Sequence, residues 1–569
     1  MNRESLSILF PWQDRIQYQV IPEETWHDLG LDTLVEKVAR QPQEVQVLKR
    51  VMTSLTDDAE VAAYRADVFE DILAHPQIRD QLMKLLEHVK MFYDYGVVNR
   101  HAGDEAGLWD LMHRLEEYHD YILTVEAIRE CLSDVSLRSE GLNHLRQVMD
   151  AVYQDHGFAA LKQDVEEMRV SASAVKSLTI GVNVNDRFDA VSMGLISVNA
   201  KPFTRSGLLK HFVSAVSPRD SIQQEADWNG SLSYQPADAL IDGMAGGMEH
   251  LMHTGMMMRN PLLGITMASI PREDGSAGMT RQMDSAASLL VSRLVRRLKD
   301  TLARYLNVSV RDVSDLIPEL LFYVRWAEYL ERLQGEGWRF CKPEAVKDES
   351  GVPGMEAKGF YNLKLIGAEK PDSVVPNDLT FDAEKRVFVL TGANRGGKTT
   401  VTQAVGQLFL MAQSGLRVPG ESFRYSPADQ VLCHFPADED KTMDLGRLGE
   451  ECRRFRELYA LSTRNSLLLL NETFSTTSFE EGYFIAVDAV RAILHRNTRT
   501  IYNTHMHKLA ADLDEVINSP DTTGKAVSLV AETKEGKHSF RVRIAPPEGK
   551  SFARDIAEKY GVTYEMLTE

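Results

Sequence analysis

One segment constrains this chain more than any other: Arg386-Val387-Phe388-Val389-Leu390, then Gly392-Ala393-Asn394-Arg395-Gly396-Gly397-Lys398-Thr399. The first part reads as a buried strand. The second matches G-x-x-x-x-G-K-[ST], and Thr400 to Val405 continues as a helix. Strand, glycine-rich loop and helix in that order form the context this pattern needs. Glycines let the backbone wrap closely, so that N–H groups point at phosphate oxygens, and the helix N-terminus adds a favourable dipole. Lys398 is expected to neutralise charge on the β- and γ-phosphates, and the Thr399 hydroxyl to ligate Mg²⁺. The expected ATP-binding set is Gly392, Ala393, Asn394, Arg395, Gly396, Gly397, Lys398, Thr399 and Thr400, with ATP and Mg²⁺ as cofactors.

Two further strands stand downstream in a fitting order. Ser466-Leu467-Leu468-Leu469-Leu470 ends in Asn471-Glu472, where a Walker B motif belongs. Glu472 is a candidate general base for the attacking water. Asn471 takes the place of the usual Asp. Its carbonyl can orient a Mg²⁺-bound water but brings no negative charge, so turnover is expected to be slow. Thr500-Ile501-Tyr502-Asn503 then runs into Thr504-His505, which places His505 as a sensor of the γ-phosphate. From about residue 338 onward short apolar strands alternate with helices, which predicts a mostly parallel sheet.

The rest of the chain reads differently. Residues 1–30 mix aromatics and prolines and read as an arm. Residues 31–177 have a helical period, with Leu82, Leu85, Leu86, Val89 and Phe92 on one face. The period changes at 178, where Leu178, Ile180, Val182 and Val184 alternate with smaller or polar residues. This predicts a β-hairpin running to Val198 within a β-containing insert of 178–235. Residues 236–337 are expected to resume the helical part. The Met cluster Gly255-Met256-Met257-Met258 reads first as gap-filling core. A helix over about 285–307 buries Val291, Leu294, Val295, Leu298, Leu302 and Leu306, and gathers Arg293, Arg296, Arg297, Lys299 and Arg304 mostly on the other side. That face is either solvated or a local phosphate-contacting surface.

The net charge of −19 argues against a broad nucleic-acid-coating surface but leaves room for a local basic face. Cys131, Cys341, Cys433 and Cys452 have no zinc-like spacing, which fits a reduced cytoplasmic protein. The N-terminal apolar run is too short for a secretory h-region, and no stretch approaches the ~20 apolar residues of a membrane helix.

The order of these motifs resembles the MutS family of DNA mismatch repair ATPases. Thr391 to Thr400 is similar to that family's TGPNMGGKST, and Pro376-Asn377-Asp378-Leu379 precedes it as in the family. Gly415-Leu416-Arg417-Val418-Pro419, Ala437-Asp438-Glu439-Asp440, Asn471 to Ser478, Thr504-His505 and Gly549-Lys550-Ser551-Phe552-Ala553 fall where the family carries its later segments. Val61 to Glu70 looks like the family's helical core, more weakly. The resemblance implies a multidomain chain: a helical core and lever region with a small β-containing, clamp-like insert, followed by an α/β P-loop ATPase domain of ABC type. It implies a homodimer in which Ser475, Thr476, Thr477 and Ser478 lie near the partner subunit's nucleotide. It also implies DNA held by lever and clamp regions, with Lys201, Arg205, Lys210, Arg293, Arg296 and Arg297 as contact candidates.

Departures narrow the expectation. The family's Phe-x-Glu mismatch wedge and C-terminal nuclease domain are expected to be missing. Phe474-Ser475-Thr476 replaces a GRG, and the serine-bearing trans segment is replaced around Leu445-Gly446-Arg447-Leu448. DNA recognition is therefore expected to follow shape, such as branches, rather than a mispaired base. The alternative is an ATPase switch acting on a protein partner without DNA contact. Another member of the ABC superclass would want an LSGGQ-type signature, which the sequence lacks.

Overall fold

The computed structural model describes residues 6–12, 15–88, 108–172, 176–184, 186, 190–199, 292–305, 313, 315–347, 352–393, 395–436, 446–518, 524–534, 537–547, 562 and 564–568. Lys201, Arg205, Lys210, Asn394, the Met cluster and the segments 437–440 and 549–553 lie outside them, as does the side chain of Arg293. The chain divides into two compact units, Met1–Lys84 with Glu130–Gln147 and Asp315–Glu569, and Leu85–Arg129 with Val148–Ser314.

The second unit is helical with one hairpin. Its helices include most of Leu108–Ser133, then His156–Ala172 and Ser292–Leu302. The hairpin pairs Ser177–Val184 antiparallel with Ala190–Asn199, Gly181 facing Gly194, at the position the change of period predicts. In the helix Ser292–Leu302, Leu298 and Leu302 are buried while Arg296 and Arg297 are exposed. Arg297 pairs with Glu167 at 3.1 Å, and Arg304 with Asp164 at 3.0 Å.

The first unit is built on a six-stranded sheet. Its helices include α1 (Glu23–Asp28), α2 (Ala59–Ala74), α3 (Leu316–Gly335), α4 (Lys398–Gln413), α5 (Gly446–Leu461) and α6 (Phe479–Arg496). Its main strands are β1 (Lys385–Gly392), β2 (Val431–His434), β3 (Leu467–Asn471), β4 (Arg499–Asn503), β5 (Lys525–Lys534) and β6 (Lys537–Ile544). The spatial order is β2-β3-β4-β1-β5-β6, parallel throughout except for the β5–β6 pair. Leu467 to Leu470 are fully buried, as a continuous apolar run must be in a strand covered on both faces. A smaller sheet of Pro343–Ala345, Ser422–Tyr425, Met355–Phe360 and Asn377–Phe381 stands beside it.

The described part of residues 1–30, read from sequence as an arm, contributes to this unit's core. Ile21, Trp26 and Leu29 are buried. Thr25 Oγ1 accepts from the backbone N–H of Cys433 on β2 at 3.1 Å. From α4, Gln403 donates to the carbonyl of Asp28 at 2.6 Å and Gln407 to that of Leu29 at 2.9 Å. Gly406 makes this seat possible, because a Cβ there would come within 2.5 Å of Leu29 Cδ2.

A buried polar knot ties the same segment to the helices. Glu319 on α3 accepts from Ser7 Oγ at 2.7 Å and from the N–H groups of Ile8 and Leu9 at 2.7 and 2.9 Å. Arg65 on α2, fully buried, donates to the carbonyls of Leu9 and Gln413 and lies over the rings of Phe10 and Tyr18. Burial raises the Glu319 carboxyl to about 7, against the pull of the Ser7 and backbone hydrogen bonds.

Candidate nucleotide site

The C-terminal ends of β1, β3 and β4 lie side by side, and the sequence-predicted residues follow each of them. Side chains that leave neighbouring parallel strands at the same edge converge, which is why such edges hold ligands in open α/β sheets.

After β1 the chain turns through Gly392, at φ 138°, and enters α4 with Gly397 as N-cap, at φ 88°. These are backbone conformations that side chains oppose. A Cβ on Gly392 would also meet Ala531 of β5 at 2.9 Å. Lys398 folds back over the loop, its Nζ donating to the carbonyls of Gly392 at 3.0 Å and Ala393 at 3.2 Å. Burial lowers its pKa, while the charge of Glu472 opposes that shift. An ammonium held this way, at a helix N-terminus, is suited to a multiply charged anion.

Thr399, on the first turn of α4, donates to Asn471 Oδ1 at 3.1 Å. Asn471 and Asn503 are register partners at the ends of β3 and β4, and Asn503 Nδ2 donates to Asn471 Oδ1. Asn503 Oδ1 is buried and has no hydrogen-bond partner among the described residues. A hydroxyl, an amide oxygen and a nearby carboxylate are hard oxygen donors, the kind Mg²⁺ takes. Among the described residues no group of three His, Cys, Asp or Glu could hold a metal alone. The set fits an ion that arrives with the phosphates rather than one caged by protein.

Glu472 has a left-handed backbone, φ 54°, and Phe474 another, φ 65°. For side-chain-bearing residues this costs about 1–3 kcal/mol each, so the surroundings must impose it. Several contacts do so. The Glu472 N–H donates to the Asn503 carbonyl at 2.8 Å. Thr473 Oγ1 bonds His434 Nδ1 at 3.0 Å, and Tyr502 Oη donates to the Thr473 carbonyl at 2.6 Å. The Phe474 ring is buried, edge-on to Phe455. Burial, and secondarily the Arg454 charge, pushes the His434 imidazole down to about 4. Glu472 thus leaves the sheet on a rigid corner, and its Oε1 lies 2.8 Å from His505 Nε2. Both side chains are partly open to solvent.

The loop Ser475–Ser478 is mostly exposed. Thr476 donates to Glu451 of α5 at 3.0 Å, Thr477 to Glu481 at 2.5 Å, and Ser478 caps α6 by accepting from the Glu481 N–H. Three residues near the site were given no role in the sequence reading. Phe540 of β6 reaches within 3.4 Å of where a Gly397 Cβ would stand, and His538 Nδ1 within 3.8 Å of that of Gly396. The third is Asn503. A β-hairpin folding back over a loop that lies more than 130 residues earlier leaves no mark in local periodicity.

Family models match most of the chain. Residues 57–336 match the model described as MutS2 N-terminal domain, and residues 388–568 that of MutS domain V. The chain belongs to the MutS family. One relative, the endonuclease MutS2 of Lactiplantibacillus plantarum, is 30% identical over 200 residues, 35% of this chain and 25% of that protein. The DNA mismatch repair protein MutS of Chlorobium chlorochromatii is 29% identical over 210 residues, 36% of this chain and 23% of that protein. The endonuclease MutS2 of Halothermothrix orenii is 22% identical over 465 residues, 75% of this chain and 56% of that protein. The chain thus spans between about a quarter and a little over half of these curated relatives. The MutS resemblance read from the motifs agrees with these matches. No helix among the described residues is long and apolar enough to cross a membrane.

Proposed function

We propose that this chain is a Mg²⁺-dependent ATPase of ABC type that works as a homodimer and associates with branched DNA. The carrying observation is the meeting, at one sheet edge, of the Lys398 loop, the Thr399–Asn471 contact and the Glu472–His505 pair. In this reading Gly392, Ala393, Asn394, Arg395, Gly396, Gly397 and Thr400 shape the phosphate cradle, and Lys398 neutralises phosphate charge. Thr399 would hold Mg²⁺ directly and Asn471 through a water, and the bound ion would offset charge on the β- and γ-phosphates. Glu472 takes the proton of the attacking water. His505 positions Glu472 and meets the γ-phosphate. Turnover is slow because Asn471 is neutral.

The exposed Ser475–Ser478 loop supports a position near the partner subunit's nucleotide. DNA association draws on the name of the mismatch repair relative, and the preference for branched substrates is part of the same proposal. Lys201, Arg205, Lys210, Arg293, Arg296 and Arg297 remain the contact candidates. One observation favours a second reading, an ATPase switch for a protein partner: Arg297 is already paired with Glu167, and Arg304 with Asp164.

The test combines phosphate release from Mg²⁺-ATP with DNA binding across a salt series. Metal-dependent hydrolysis is expected. So is tighter binding to a branched substrate than to homoduplex or a single-mismatch duplex, which should bind alike. Binding should fall steeply with salt, and changing Lys201, Arg205 and Lys210 to Glu should weaken it and flatten that dependence. A mismatch preference would overturn the shape argument. No DNA binding with hydrolysis intact would select the protein-partner reading, and no nucleotide binding at all would remove both.

A further inference from the structure

We infer that Asn503 is a positioning residue for the metal side of the nucleotide site, holding the Asn471 amide with its oxygen toward Thr399. The inference rests on the nucleotide reading above.

The argument starts from a chemical difference between Asp and Asn. A carboxylate presents two equivalent oxygens and needs no orienting. An amide has an accepting end and a donating end, and only the first is useful beside a cation. Asn471 stands where its orientation decides the state of Thr399. With the oxygen toward Thr399, the hydroxyl donates its proton to Asn471, as it does at 3.1 Å, and keeps one lone pair for a metal beside the long bond it accepts from Asn503. With the amide turned, its NH₂ would donate into the Thr399 oxygen and compete for that lone pair.

Asn503 selects between the two. It is the register partner of Asn471, and its side chain is fully buried. Its Nδ2 donates to Asn471 Oδ1 and, at 3.4 Å, to Thr399 Oγ1. Two facing amides can pair only if one donates and the other accepts, so an Asn503 that donates commits Asn471 to accept. Among the described residues, Thr399 and Asn503 supply the side-chain hydrogen bonds to Asn471. Asn503 is itself held, because its carbonyl accepts the Glu472 N–H at 2.8 Å and its strand lies between β3 and β1. A purely structural role would also place a buried amide between two strands, so the test must separate the two.

The measurement is calorimetric binding of a non-hydrolysable ATP analogue by the full chain, in Mg²⁺ and in EDTA. The quantity read is the factor by which Mg²⁺ tightens binding. Asn503→Ala and the volume-conserving Asn503→Leu should each reduce that factor about 10-fold, at the low end for losing a group that orients a metal ligand. Affinity in EDTA should stay within about 2-fold, well inside what one hydrogen bond is worth. In an Asn471→Asp background the same changes should alter the factor less than about 2-fold, because a carboxylate needs no orienting. Equal losses in both backgrounds, or no loss in the parent background, would overturn the inference and leave the nucleotide reading standing. A parent that binds the analogue without any Mg²⁺ effect would remove the metal role of Asn471 and the inference together. A parent that binds no analogue in either condition would remove the nucleotide reading itself.

Discussion

Glu472 Oε1 and His505 Nε2 face each other at 2.8 Å across the ends of two adjacent strands. The pair holds the carboxylate beside the loop that carries Lys398, whose ammonium feels the Glu472 charge. Replacing Glu472 with Gln keeps the shape and removes the proton acceptor. Glu472→Gln should therefore retain ATP binding and slow hydrolysis at least ~10²-fold. Single-turnover hydrolysis is the measurement, and an unchanged rate would rule Glu472 out as the base.

Lys398→Ala addresses binding rather than chemistry. The ammonium now rests on two loop carbonyls, which it can exchange for phosphate oxygens. Losing its charge-assisted bonds should weaken ATP binding about 100-fold or more. Equal affinity by calorimetry in parent and variant would contradict the assignment.

Assembly can be read on the slow variant. With ATP bound, Glu472→Gln should be a dimer by light scattering, with the Ser475–Ser478 loop inside the interface. A strict monomer at concentrations well above those of ordinary specific complexes, about 10⁻⁵ M, would count against the shared site.

Glu319 predicts a pH dependence of stability. Its carboxyl is raised to about 7 in the fold from the ordinary 4.5, by burial among Ser7, Arg65, Tyr64 and Tyr323. Between those values the folded chain keeps a proton that the unfolded chain has released. The stabilisation is full below pH 4.5 and is lost as pH rises through about 7. At most roughly 3 kcal/mol is involved. Thermal melts of the parent should fall more between pH 5 and 8 than those of Glu319→Gln, and parallel curves would exclude this origin.

Much of the nucleotide unit was legible because its signals are local. A glycine-rich turn between strand and helix, and apolar runs ending in polar residues, are contained in a dozen residues each. The hairpin after 177 was legible for the same reason, a change of period. The N-terminal segment was not. Its partners are Cys433, Gln403 and Gln407, and a helix of six residues has too few turns to show a face. Asn503 was read only as the end of a strand, because its importance depends on which residue lies opposite in the neighbouring strand.

The seating of residues 25–29 on α4 and β2 has a consequence for synthesis. The partners of Asp28, Leu29 and Thr25 lie 375, 378 and 408 positions later in the chain. At about 5–20 residues per second, the first helix leaves the ribosome ~20–75 s before the groups that complete it exist. During that interval Leu29 lacks its seat on α4 and Thr25 its partner on β2, and closing so long a loop comes late in folding. Nascent-chain aggregation should therefore concentrate on this opening stretch, and holdase chaperones should bind there first.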